Sequence, residues 1–229
     1  ARFGGIEIPH RARAWAAANP HYKLTMEFIG DSLTAGACNE DGDTDQWEDL
    51  RTHNSACSYA AMTAEAFSAD HRNIAVSGMG VSAGWTDVKA GQIWNRLYPK
   101  PSSPMADLSS WKPDVAFVFL GANDRSFTEA KGQPFPTDYT ERYVSLVQEI
   151  RGAYPDSHIV LLMTNKYGPR LQQPWRTAVA QLEANDKAIS HYVFERWVKD
   201  SHPRVADHRA MADGLILWLR KQSFIPHCQ

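Results

Sequence analysis

The chain has 229 residues, with 24 Lys and Arg against 26 Asp and Glu and a net charge of −2 at neutral pH. A hydrophobic fraction of 43% suffices for one well-packed domain, and the near-balanced charge excludes both a basic nucleic-acid surface and an acidic disordered chain. No apolar run approaches the roughly 20 residues that span a bilayer, and the nine His lack a metal-ligand pattern such as H-E-x-x-H, so neither membrane, metal nor other cofactor is expected.

Residues 1–23 are irregular: F-G-G-I-E-I, a basic Ala-rich stretch, then Asn19-Pro20. They read as a strap or linker, with the body of the chain at 24–229. Beyond them, apolar runs alternate with amphipathic segments. Runs at 25–29, 73–77, 115–120, 158–164 and 192–198 are short, rich in Val, Ile and Phe, and bounded by Gly, Pro, Asp or Asn, as buried strands are. Helical spacing covers 58–71, 85–97, 138–154, 174–190 and 205–221. Within 138–154, Tyr143, Leu146, Val147 and Ile150 share a face and Pro155 follows the end; Pro174 suits the first turn of its helix. Segments 121–136 and 166–175, rich in Gly, Pro and Asn, read as loops after strands. Such alternation predicts a parallel sheet covered on both faces, with those loops at its carboxyl edge, where open α/β sheets bind ligands. Cys38, Cys57 and Cys228 are an odd number, compatible with one disulfide or three free thiols.

Four strand ends carry residues suited to acyl transfer. Gly30-Asp31-Ser32-Leu33 follows the first strand, and a Ser there either caps a helix or offers its hydroxyl as a nucleophile. His202, in Asp200-Ser201-His202-Pro203, follows the last strand and reaches the same edge; its near-neutral pKa suits a general base. Gly78 ends N-x-x-x-S-G at 73–78, and Asn123 lies in G-x-N-D at 121–124. A backbone N–H and a carboxamide are the donors that a tetrahedral oxyanion needs. Singly, each reads equally as a turn residue.

In this order and at these strands, the blocks resemble the SGNH hydrolase superfamily, named for Ser, Gly, Asn and His. The resemblance covers nearly all of the chain after Leu24. It implies a three-layer α/β/α sandwich resembling flavodoxin, with a parallel five-stranded sheet. It implies Ser32 as nucleophile, His202 as base, and an oxyanion hole of the Ser32 and Gly78 N–H groups with the Asn123 side chain. Many members carry Asp three residues before the His; here that residue is Lys199, and Asp200 lies two before. Either Asp200 orients His202 or a backbone carbonyl does. The D-x-H-P form and the opening E-F-I-G-D-S are similar to carbohydrate esterase family two, in which a small β-sandwich precedes the catalytic domain. That likeness implies a secreted esterase acting on O-acetylated sugars or plant polysaccharides, and an upstream β-domain ahead of 1–23. A lipase, lysophospholipase or thioesterase of the same superfamily, or an inactive carbohydrate-binding module, are the alternatives.

Other residues take plainer readings. Asp31 and Asp124 are expected to hold loops, and His208 to pack at the last helix. The acidic run 40–49 reads as a solvated loop without the EF-hand pattern. Trp85, Trp175 and Trp197 lie near the expected site, where an indole either stacks on a sugar ring or fills core.

Overall fold

The computed structural model describes residues 9–13, 22–195 and 202–226. Five parallel strands form one sheet: β1 Thr25–Gly30, β2 Asp70–Ala75, β3 Val115–Phe119, β4 His158–Thr164 and β5 Ile189–Phe194. Their order is β2-β1-β3-β4-β5, the flavodoxin order expected from the sequence. The direction of winding reverses between β1 and β3, and this opens a crevice at their carboxyl ends.

Strands β1, β3 and β4 lie inside the sheet and are buried nearly end to end, as their largely apolar sequences allow; Glu27 is the exception in β1. β2 and β5 are its edges and stay partly solvated, so they need no such run. Both edges differ from the apolar windows at 73–77 and 192–198: β2 starts at the polar Asp70, and β5 starts at Ile189.

The helices are α1 Ser32–Ala35, α2 Tyr59–Ala66, α3 Ala90–Ile93, α4 Ala122–Ala130, α5 Tyr139–Ala153, α6 Gly168–Asn185 and α7 Val205–Leu219. α2 packs with α7, and α5 with α6, covering the two faces of the sheet. On the α2 side, Phe28 of β1 stacks on Phe117 of β3 with ring centres 4.5 Å apart, and Tyr59 of α2 meets the edges of Phe28, Phe119 and Phe194. Truncating such a ring to Ala typically costs about 3–5 kcal/mol. On the other side, the α5 stripe buries Tyr139, Tyr143, Leu146, Val147 and Ile150.

Two expected loops contain helix. α4 occupies much of 121–136, and its buried residues are Asn123, Asp124 and Thr128, so no apolar stripe advertises it. α6 begins at Gly168 rather than Pro174, with Pro169 in its first turn. Its buried stripe runs Leu171, Trp175, Ala178, Val179, Leu182 and holds Pro174 inside the helix. No helix among the described residues is long and apolar enough to cross a membrane.

One core residue is unusual. Glu27 of β1 is 1% exposed, its Oε2 has no hydrogen-bond partner among the described residues, and burial raises its carboxyl to about 7.

Candidate active site

The carboxyl end of β1 turns at once into α1, and Ser32 is the first residue of that helix. The turn is tight: a Cβ on Gly30 would lie 2.1 Å from Oγ1 of Thr34, so only glycine fits there. Asp31 caps the helix, accepting from the Leu33 N–H at 3.0 Å. As the first helical residue, Ser32 has no intrahelical acceptor for its own N–H.

His202 reaches Ser32 from the turn before α7. Its Nε2 lies 2.8 Å from the Ser32 Oγ, and its Nδ1 lies 2.8 Å from Oδ2 of Asp45. A carboxylate at Nδ1 requires the proton there, so Nε2 accepts from the serine hydroxyl. The His202 backbone N–H also donates to Asp45, at 3.3 and 3.2 Å to its two oxygens. Burial lowers the imidazole pKa below 6.5, and Asp45 partly offsets this. Burial pushes the Asp45 carboxyl up, but hydrogen bonds from Arg204 and His202 outweigh it and hold the group ionised.

Asp45 belongs to the acidic run 40–49, expected to be a solvated loop. The run is a largely exposed loop, but one of its carboxylates has turned inward onto the histidine. The expected partner, Asp200, lies outside the described residues. The one Nδ1 proton it was expected to accept is engaged by Asp45.

Gly78, beyond the end of β2, has φ +81°, a left-handed conformation that a side chain would strain. Among the described residues its N–H has no acceptor. Asn123 enters from the first turn of α4, and its Nδ2 donates to Oδ2 of Asp31 at 3.0 Å and to the Met79 carbonyl at 2.9 Å. Both amide hydrogens are therefore engaged, and an oxyanion would have to share or displace one acceptor. Burial raises Asp31 to about 7, and the nearby Asp124 adds to the rise. Asp124 accepts the N–H groups of Val81, Ser82 and Ala83 at 2.9, 2.6 and 2.8 Å, so it fastens the loop after Gly78. Both aspartates hold loops, as expected. His208 is buried in α7, with its Nδ1 accepting the Tyr59 N–H at 3.1 Å.

Ser32, Asp45, Gly78, Asn123 and His202 line one open cavity of about 570 Å³ together with Trp47, Ser77, Trp85, Thr86 and Ser126. The aromatic wall residue missed by the sequence reading is Trp47, whose ring meets His202 edge-on with centres 4.7 Å apart; Asp45, Thr86 and Ser126 were missed as well. Its neighbourhood to the acidic run was the available signal. Trp85 is half exposed and bonds the Ser126 hydroxyl through Nε1 at 3.0 Å. Trp175 does not reach the cavity: it is 1% exposed, and its Nε1 bonds the Tyr143 hydroxyl at 3.3 Å within the helical layer. Trp197 lies outside the described residues.

Among the described residues one group of side chains is close enough to ligate a cation: Cys38, Asp41 and Asp45 present donor atoms within 4.8 Å of one another. Asp45 is already bonded by His202 and by the Arg204 guanidinium, and burial raises the Cys38 thiol to about 12, so it keeps its proton. These donors fit a metal poorly. Among the described residues Cys38 and Cys57 are free thiols; Cys228 lies outside the described residues.

A serine, a histidine and an aspartate in hydrogen-bond sequence, beside a strand-end glycine and an asparagine, form a nucleophilic site. The profile of the GDSL-like lipase/acylhydrolase family matches residues 28–218, which contain every one of these groups. The chain belongs to that family. It is 31% identical to the cellulase/esterase CelE of Acetivibrio thermocellus over 219 residues, 87% of this chain and 26% of that protein. It is 28% identical to an acetylxylan esterase / glucomannan deacetylase of Cellvibrio japonicus, covering 98% of this chain and 66% of that one. The chain thus spans about a quarter of the first relative and just under two thirds of the second. Among solved structures, a family two carbohydrate esterase from Clostridium thermocellum in complex with cellohexaose superposes with a TM-score of 0.76 at 28% identity, over 91% of this chain and 67% of that one. Another carbohydrate esterase reaches a TM-score of 0.80 at 25% identity, over 90% and 72%. At these scores the two solved structures share the α/β fold described above.

Proposed function

We propose that this chain is a serine esterase that removes acetyl groups from O-acetylated carbohydrate. The observation that carries the reading is the relay Ser32–His202–Asp45, with both links at 2.8 Å, at the mouth of a cavity. Ser32 Oγ attacks the acetyl carbonyl carbon while its proton passes to Nε2 of His202. The carbonyl electrons move to oxygen, which is met by the N–H groups of Ser32 and Gly78 and by the Asn123 side chain. Collapse breaks the ester bond, and His202 returns the proton to the departing sugar hydroxyl. Water then repeats the sequence on the acetyl-enzyme, releasing acetate and freeing Ser32. Asp45 holds the tautomer and stabilises the imidazolium.

The lining favours a short acyl group on a polar alcohol. Besides the Asp45 carboxylate and the His202 imidazole, its side chains are hydroxyls, a carboxamide and two indoles, with no aliphatic trough for a long chain among the described residues. The names of the relatives, acetylxylan esterase and glucomannan deacetylase, favour acetylated hemicellulose. A polymer of that size is met outside the cell, so we take the enzyme to be secreted and to serve polysaccharide breakdown.

The test is turnover of chromogenic acetate and octanoate esters, and of acetylated xylan and glucomannan, by the wild type and Ser32→Ala. Acetate turnover that falls on the order of a million-fold in Ser32→Ala supports the reading. Preference for octanoate points to a lipase, and wild-type inactivity points to a binding module.

A further inference from the structure

We propose that Arg204 is a positioning residue for catalysis: it fastens the acidic loop that carries Asp45 to the turn that carries His202. The proposal rests on the esterase reading above.

Asp45 comes from an irregular and largely exposed stretch. The backbone bonds within that stretch, such as Asp41 N–H to the Cys38 carbonyl at 3.2 Å, join the loop to itself. At its base the Glu40 N–H donates to the Thr52 carbonyl at 3.0 Å, and the Val205 N–H donates to the Asn39 carbonyl at 2.9 Å. Farther out, Arg204 provides the tie. Its Nε donates to the Gly42 carbonyl at 2.7 Å, and its Nη1 lies 3.0 Å from the Cys38 carbonyl and 2.7 Å from Oδ1 of Asp45. The same Nη1 lies 3.0 Å from the His202 carbonyl. One guanidinium thus touches the loop backbone at Cys38 and Gly42, the carboxylate the loop carries and the residue that carboxylate must meet.

The two oxygens of Asp45 divide its side-chain partners: Oδ2 meets the His202 ring and Oδ1 meets the Arg204 guanidinium. Two partners on one short turn fix the plane of the carboxylate. Arg204 is itself fixed, because its N–H donates to Oδ2 of Asp207 at 2.9 Å where α7 begins. The chain of restraint runs from α7 through Arg204 to Asp45, and from there through His202 to Ser32. With side chains only 15% and 16% exposed, the Arg204–Asp45 pair is shielded from the solvent that makes surface pairs weak. Lysine would keep the charge but lacks the planar fork that serves the Gly42 carbonyl and Asp45 together.

The test combines Arg204→Met, Arg204→Lys, Asp45→Asn and the double variant Arg204→Met/Asp45→Asn, assayed on a chromogenic acetate ester with Ser32→Ala as control. We expect each Arg204 variant to lose about ten- to a hundredfold in kcat, a coupling of the size that neighbouring groups show. In the Asp45→Asn background, Arg204→Met should add less than about threefold, because its route to the reaction is already cut. The downfield proton resonance of the His202 Nδ1–H should be present in the wild type and lost in Arg204→Met. Losses that multiply in the double variant, or an Arg204→Met enzyme within threefold of wild type, overturn the proposal. If Arg204→Met does not fold, Arg204→Lys enters the same cycle and is judged by the same rule. A Ser32→Ala enzyme with full turnover would instead sink the serine mechanism, and this proposal with it.

Discussion

Asp45 accepts the Nδ1 proton of His202 at 2.8 Å although 157 residues separate the two in the chain. The carboxylate holds the imidazole in the one tautomer that leaves Nε2 open to Ser32. Asp45→Asn presents an amide in its place and favours the wrong tautomer, so kcat/KM should fall by roughly a thousandfold or more. Asp200→Asn should stay within about tenfold of wild type, because one Nδ1 proton serves one acceptor. The pH profile separates the two further. The base must be neutral, and burial places its pKa below 6.5, so the acidic limb should lie below that value. Asp45 raises the pKa against burial; its loss should move the limb to lower pH still. An unchanged limb in Asp45→Asn together with a thousandfold loss in Asp200→Asn would reverse the assignment.

Asn123→Ala removes a donor whose two hydrogens are held by Asp31 and Met79. If one of these hydrogens turns to the oxyanion as it forms, the donor acts on charge that develops only in the transition state, and so on kcat. The expected loss is about a hundredfold or more in kcat with KM little changed. Steady-state kinetics on an acetate ester decide it: a rise in KM at constant kcat would mean that Asn123 only shapes the pocket.

The sheet and much of the site were legible in the sequence, for different physical reasons. Central strands buried on both faces are mostly apolar, so β1, β3 and β4 announced themselves despite Glu27 in β1. Ser32, Gly78 and Asn123 sit within a few residues of strand ends, and His202 sits just ahead of the last helix. Asp45 and Trp47 sit on a long loop, and no local rule says where such a loop folds back. The acidic run could be read as charge but not as direction. α4 was hidden because it buries Asn123, Asp124 and Thr128 where a helix normally buries apolar residues. The early start of α6 was hidden because Pro174 looked like a first-turn proline while Pro169 took that place. The burial of Trp175 follows from that shift.

Trp85 and Trp175 should therefore behave oppositely on truncation. Trp85 is half exposed on the cavity wall, so Trp85→Ala should raise KM for acetylated xylan by about three- to tenfold, the size of an aromatic contact. Turnover of a small acetate ester should change less than that. Trp175→Ala empties a buried site and should cost about 3–5 kcal/mol of stability. The folded fraction should keep its specific activity. Equal KM effects from both variants would contradict the placement.

The last prediction concerns Glu27, buried in β1 away from the cavity lining. Burial raises its carboxyl from 4.5 to about 7, with the Tyr154 hydroxyl and Arg72 moderating the rise. Between those two values the folded chain keeps a proton that the unfolded chain releases. Proton binding by the native state means that stability from this group falls as pH rises through the window. At pH 8 the folded chain must carry a desolvated charge; at pH 4 the group is neutral in both states. Glu27→Gln keeps the shape and removes the charge. It should leave stability nearly unchanged at pH 4 and raise it at pH 8 by up to about 3 kcal/mol. Asp31, raised to about 7, and Asp124, raised to about 6, remain in the variant and slope the same way. The variant should therefore flatten the decline between pH 4 and pH 8 without abolishing it. Urea unfolding at the two pH values measures the difference, and esterase turnover should match wild type. A variant less stable than wild type at pH 8 would mean that Glu27 is ionised and paired in the native core.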